Sequence, residues 1–255
     1  MFKILTIGNS FSCDAVEYLK DISACGGIND LFIHNMSIGG CSLERHAGCL
    51  KSGAYEYSLG INAKHARAAS LPEEIKAYDW DVITLQQASH FSGMYNETYQ
   101  PFLDELVSFI REHKPNAKIY WHKTWAYDKD STHGGLANYD NDQEAMANAI
   151  DEAAKKAAEF IGAPIIPSGD VIRELRKLPE FDYPGEGQSL CRDGFHMHLF
   201  YGRYAVAATW FETVLGGDIR NNPFIPPIDK IGAITPDVMH KLELIKNTVH
   251  KVCSK

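Results

Sequence analysis

Phe2-Lys3-Ile4-Leu5-Thr6-Ile7-Gly8-Asn9-Ser10-Phe11-Ser12-Cys13-Asp14 opens the chain, and its reading decides the fold. Phe2–Ile7 is a largely apolar run of strand length, as a strand buried on both faces should be. Gly8-Asn9 breaks it, and a stretch of helical composition, Ala15–Ala24, follows at once. A strand that feeds a helix in this way belongs to a parallel sheet covered by helices.

The rest of the chain repeats the alternation. Strand-like runs recur at Leu31–Met36, Asp81–Leu85, Lys118–Trp121 and Pro164–Ile166. Between them lie helical stretches at Tyr99–His113 and Asp142–Ile161, the latter stopped by Gly162, and a last helix is expected from Tyr201 to Leu215 before Gly216-Gly217. The pattern predicts an α/β fold: a three-layer α/β/α sandwich, flavodoxin-like, with a roughly five-stranded parallel sheet. Gly39–Leu71 and Trp125–Asn141 read as irregular loops at the carboxyl edge of that sheet, where open α/β folds place their sites. Pro223–Pro227 reads as a surface wrap. No repeat or linker interrupts residues 1–255, which are taken as a single domain.

Composition narrows the function. The net charge of −8 and the lack of a Lys/Arg cluster exclude a nucleic-acid partner. No run reaches the roughly 18 apolar residues of a membrane span, so no membrane partner is expected. The N-terminal run is too short for a signal peptide, which points to the cytoplasm for the chain as written; a secreted protein trimmed of its leader would read the same. The six cysteines form no CxxC pair and are expected as free thiols, with a Cys41–Cys49 bridge as the rival.

Two short segments carry chemistry. Ser10 stands at a strand-to-helix turn, beside the unpaired N–H groups of a helix start; its plain reading, shared with Ser12, is a helix cap. Asp193-Gly194-Phe195-His196 can present a carboxylate and an imidazole on one tight turn, and a serine hydroxyl needs such a base, oriented by such a carboxylate. His198 competes with His196 for the role. Neither segment is specific alone; together, at opposite ends of an α/β chain, they predict a serine hydrolase.

At these residues the sequence resembles the SGNH (GDSL-like) hydrolases, and most nearly a bacterial branch with a Gly-Asn-Ser-Phe first block. Gly8-Asn9-Ser10-Phe11 matches the Gly-Asp-Ser block with Asn for Asp, Ser37-Ile38-Gly39-Gly40 the second, and Asp193-x-x-His196 the last. The resemblance implies Ser10, Asp193 and His196 as catalytic residues and the N–H groups of Ser10 and Gly40 as oxyanion donors. The third block departs: Asp81-Val82-Ile83-Thr84-Leu85-Gln86-Gln87-Ala88-Ser89-His90 lacks the family's Asn. Gln87 is the better chemical substitute, as an amide donor near the strand end, while His90 takes the aligned position.

Trp125 is expected to wall the substrate pocket, with Asn9 also on the substrate side. No metal or cofactor is expected, since His196 and His198 stand without a carboxylate cluster or HExxH. The expected substrate is a small-molecule or carbohydrate ester, acyl or acetyl, because many SGNH hydrolases deacetylate carbohydrates. A histidine base makes such activity rise with pH through about 6 to 7.5. The rival is a catalytically silent carbohydrate- or small-ligand-binding protein on the same scaffold, argued from the missing Asn.

Overall fold

The computed structural model describes residues 1–254. In chain order its elements are β1 (Phe2–Gly8), α1 (Ser10–Val16), α2 (Leu19–Cys25), β2 (Leu31–Ser37), α3 (Leu43–Ser52), β3 (Tyr57–Ile61), β4 (Lys64–Ala69), α4 (Leu71–Ala77), β5 (Val82–Leu85), α5 (Tyr95–Thr98), α6 (Phe102–His113), β6 (Lys118–His122), α7 (Gln143–Ile161), β7 (Ile165–Ile166), α8 (Ser168–Leu175), α9 (Tyr201–Leu215) and α10 (Pro236–Cys253). The strands form one sheet in the order β4-β3-β2-β1-β5-β6-β7. β1 pairs in parallel with β2 and β5, and β5 with β6, whereas β3 is antiparallel to both its neighbours. This is the expected α/β architecture, a mostly parallel sheet flanked by helices.

It differs from the expectation in three places. The sheet has seven strands, not five, because Gly39–Leu71 holds α3 and the hairpin β3–β4. The hairpin turns at Asn62 and Ala63, both at positive φ (50° and 65°), and its second strand, Lys-His-Ala-Arg-Ala-Ala, is exposed almost throughout. Neither a glycine turn nor an apolar face announces it. The stretch Ala15–Ala24 is divided between α1 and α2. Beyond the Pro-rich segment the chain forms α10, where Thr235 Oγ1 accepts the Val238 N–H and Pro236 starts the helix.

The chain divides into two compact units. The first comprises residues 1–13, 30–124 and 148–165. Its core is the apolar sheet, with Leu5, Ile7, Met36, Ile83, Leu85 and Trp121, closed by Leu103, Leu106 and Ile110 of α6 and the alanines of α7. The second comprises residues 14–29, 125–147 and those from 166 on. Its centre is α9, buried from Tyr201 to Phe211 with few breaks and packed by α2, α8 and α10. A helix apolar on nearly every side can only be central. Among the described residues no helix is long and apolar enough to cross a membrane. All six cysteines are unbridged, Cys41 and Cys49 included.

Candidate active site

In the first unit, β1 carries the chain to Ser10 at the first position of α1. The cap is Asn9: its Oδ1 accepts the Phe11 N–H at 3.0 Å. The Ser12 hydroxyl donates instead to Asn9 O (2.8 Å) and Asn35 Oδ1 (2.7 Å). Gly8 permits this packing, since a Cβ there would lie 2.8 Å from Ser12 Oγ.

Asn9 also joins Ser10 to its surroundings. Its Nδ2 donates to Cys41 O (3.3 Å), which ties the turn to the loop of Gly39 and Gly40. Its Oδ1 accepts a second bond from Gln86 Nε2 (2.9 Å), and Gln86 Oε1 accepts from His122 Nδ1 (3.0 Å). Burial pushes the His122 imidazole down to about 3, so it is neutral at ordinary pH. A buried relay from His122 through Gln86 thus sets the residue beside Ser10. Asn9, expected on the substrate side, is only 2% exposed and has each polar side-chain atom engaged; it shapes the turn instead. Gly40 is exposed and at positive φ (62°), so glycine suits the turn's conformation rather than a crowded contact.

Gln87 does not present a free donor. Its Oε1 accepts the N–H groups of Leu43 (2.9 Å) and Ala88 (2.8 Å), and its Nε2 donates to Thr98 O (3.0 Å) and Oγ1 (3.2 Å). The amide binds the loop after β5 to α3 and α5, so both of its polar atoms are engaged in holding the loop. His90 lies next along this loop, partly exposed, in the 3-10 turn Ser89–Phe91 with its ring against Phe91.

In the second unit, Asp193-Gly194-Phe195-His196 forms a closed turn. Its ends meet as Arg192 N donates to His196 O (2.9 Å) and Cys191 bridges Met197. Asp193 Oδ1 accepts the backbone N–H of His196 (2.8 Å) and of Phe195 (3.3 Å), while Oδ2 lies 2.7 Å from His196 Nδ1. Burial pulls the Asp193 carboxyl upward, but the ring and backbone N–H groups of His196 and that of Phe195 outweigh it and hold the acid below the usual range. An ionised carboxylate only accepts, so Nδ1 carries the proton and the neutral ring keeps its lone pair on Nε2.

The turn is braced from the loop after β6. Trp125 Nε1 donates to Phe195 O (2.7 Å), and Asp128 N to Gly194 O (2.7 Å). Trp125 is therefore no pocket wall: it is fully buried, its indole fixing the Asp193–His196 turn. Asp128 is itself held by Arg176 and Ser189. His198 has another task. Its Nδ1 accepts the N–H groups of Phe200 and Tyr201 at the start of α9, and burial, then Arg192, lowers its pKa. Of the two histidines, only His196 has the orienting carboxylate.

Sequence reasoning missed Gln86, His122 and Asp128, whose partners lie 36 to 77 positions away and leave no local spacing to read. For metal binding, Glu212, Asp218 and His250 each bring a ligand atom within 4.8 Å of the others. Arg220 already binds Asp218 through Nε and Nη2, so a cation would have to displace it.

The chain belongs to the DUF4886 family, described as a domain of unknown function, whose model matches residues 3–241. It is similar to the crystal structure of a DUF4886 family protein from Bacteroides uniformis ATCC 8492, at 37% identity over 98% of this chain and 94% of that one, with a TM-score of 0.88. More distantly it is similar to a candidate SGNH hydrolase from Slackia heliotrinireducens (18% identity, 84% and 98% of the two chains, TM-score 0.56). It is also similar to a catalytic mutant of an acetylxylan esterase from Geobacillus stearothermophilus (13% identity, 83% and 93%, TM-score 0.54). No curated protein matches. At these low identities the likeness is one of fold, and the fold is that of SGNH hydrolases.

Proposed function

We propose that this protein is an ester hydrolase in which Ser10 attacks the acyl carbonyl, His196 is the base and Asp193 orients it. The reading rests on one observation above all. The Asp193 carboxylate meets His196 Nδ1 at 2.7 Å on a turn braced from outside, which leaves Nε2 as the proton acceptor. The Gly8-Asn9-Ser10 turn, capped by Asn9 rather than by Ser10, and the SGNH hydrolase scaffold support it.

In this mechanism His196 Nε2 takes the Ser10 Oγ proton as Oγ attacks the carbonyl carbon. The proton then passes to the leaving alcohol, and water releases the acid from the acyl-enzyme by the same steps in reverse. The Ser10 and Gly40 N–H groups receive the oxyanion. With the Gln87 amide engaged by Thr98, the third donor falls to the His90 ring, and each such donor contributes about 3 kcal/mol in the transition state. The substrate is an acyl or acetyl ester of a small molecule or carbohydrate, in keeping with the acetylxylan esterase among the neighbours of this fold. No cofactor enters the mechanism.

The engaged Gln87 amide favours a second reading, a silent binding protein on this scaffold. A fluorophosphonate probe and p-nitrophenyl acetate separate the two. Labelling and hydrolysis by the wild type, both lost in Ser10→Ala, are expected. An unlabelled, inactive wild type leaves the binding reading.

A further inference from the structure

A buried acid that this mechanism leaves unused lies four residues after Ser10. Asp14, in α1, is 0% exposed. Its Oδ1 accepts from Arg192 Nη1 (3.0 Å) and Arg203 Nε (2.8 Å), and its Oδ2 from Arg192 Nη1 (3.1 Å) and the Met197 backbone N–H (2.9 Å). Arg192 Nη1 also donates to Met197 O (2.5 Å). Arg192 immediately precedes Asp193, and Met197 immediately follows His196. One carboxylate therefore grips both ends of the turn that carries the acid–base pair, and it does so from the helix that begins at Ser10. Arg203, from the first turn of α9, completes the charge balance and reaches on to Glu17 (3.5 Å).

Packing alone does not ask for this arrangement. A buried carboxylate with two guanidinium partners is no more stabilising than well-packed apolar groups, but it allows only one geometry. Two guanidinium groups and a main-chain N–H converge on two oxygens, so a shift of the turn along or around α1 breaks several charge-assisted bonds together.

We infer that Asp14 is a positioning residue for the acid–base turn: through Arg192 and Met197 N it fixes the segment bearing Asp193 and His196 to the nucleophile's helix. The inference rests on the proposed Ser10–His196–Asp193 reading. Asp14 touches no substrate. Its contribution is to alignment, where an error of about 1 Å costs on the order of 100-fold in rate.

Asp14→Asn keeps the shape and removes the charge. The expected result is a fall of about 100-fold in kcat for p-nitrophenyl acetate at unchanged KM, with fluorophosphonate labelling slowed to match. The downfield NMR resonance of the His196 Nδ1 proton should broaden as its turn loosens. Glu74→Gln is the stability control. It breaks another buried charge cluster, with His34 (2.5 Å) and Arg67 (2.9 Å), outside this turn; it should lower the melting temperature and leave kcat and the resonance unchanged. If Asp14→Asn does not fold, Arg192→Gln replaces it, because Arg203 still neutralises Asp14 there, and the same changes are expected.

Wild-type kcat and a sharp resonance in the folded variant overturn the positioning role and leave the triad standing. So does a loss no larger than that of Glu74→Gln. A wild type that neither labels nor hydrolyses, with a resonance that still broadens in Asp14→Asn, overturns the triad and keeps the clamp.

Discussion

Side-chain amides in this protein show how little a residue's identity says about its task until its partners are known. Gln86 and Gln87 are adjacent, both 1–2% exposed, and both follow β5. Gln86 connects His122 to Asn9, whereas Gln87 holds Leu43, Ala88 and Thr98. Gln87→Ala strips the acceptor from two buried N–H groups and should cost about 1–3 kcal/mol in chemical denaturation, with kcat of the folded fraction little changed. His90→Ala should weigh on catalysis instead: a fall in kcat of the folded fraction of about 10²-fold or more, if its ring receives the oxyanion. A matching loss of kcat in Gln87→Ala and none in His90→Ala would return the donor role to Gln87. The site was legible in part for the same reason. Ser10, Asp193 and His196, the residues of the proposed triad, could be singled out because their chemistry lies within short segments. Asn9 and Trp125 were misassigned because a substrate-facing side chain and a buried brace look alike until burial is known.

The decisive element around the proposed base is the turn from Asp193 to His196, and its shape depends on Gly194. That residue has φ of +85°, and a Cβ added there would meet Ser131 at 3.0–3.1 Å. Gly194→Ala therefore combines a disfavoured backbone with a clash against main-chain and side-chain atoms, and should destabilise by about 1–3 kcal/mol. Thermal melting reads the cost, and an unchanged melting temperature would show that the turn can rearrange. Elements differ in how openly the sequence states them. β1, β2, β5 and β6 were legible because each is a mostly apolar run of strand length, the pattern of strands buried on both faces. α7 and α9 were legible from their length and from Gly162 and Gly216, which end them at positive φ. The hairpin β3–β4 was not, because β4 exposes nearly every residue and its Asn62-Ala63 turn adopts positive φ without glycine. α10 hid behind the Pro-rich segment, although Thr235-Pro236 is a cap followed by the residue best suited to a first turn.

For the molecule as a whole, acid stability is governed by histidines that fold into places where they cannot be charged. His122 and His46 are both buried in the first unit, and burial lowers each to about 3, with Arg45 adding to the effect at His46. His46 Nδ1 lies 2.5 Å from the Tyr57 hydroxyl, while its Nε2 is buried without a hydrogen-bond partner. In the unfolded chain both rings titrate near 6.5, so below that pH the unfolded state binds protons that the folded state refuses until about pH 3. Proton uptake by the unfolded state makes stability rise with pH across this window. Full stability from these groups is present above about pH 6.5 and declines as the pH falls. Each contributes a slope approaching about 1.4 kcal/mol per pH unit, or roughly 2 kcal/mol lost by pH 5. Asp193, held below the usual carboxylate range, adds its own loss only at more acid pH. Urea denaturation at pH 7.5, 6 and 5 should show the decline. His122→Asn preserves a donor toward Gln86 Oε1 but cannot be protonated, so its stability should fall with a slope shallower by about 1.4 kcal/mol per pH unit. His46→Asn should flatten the slope by the same amount, and the two together by the sum expected of independent sites. Parallel slopes in wild type and both variants would mean that other groups set the acid limit. The same measurement protects the assignment of the base, because a rate lost on the acid side belongs to His196 only where the protein is still folded.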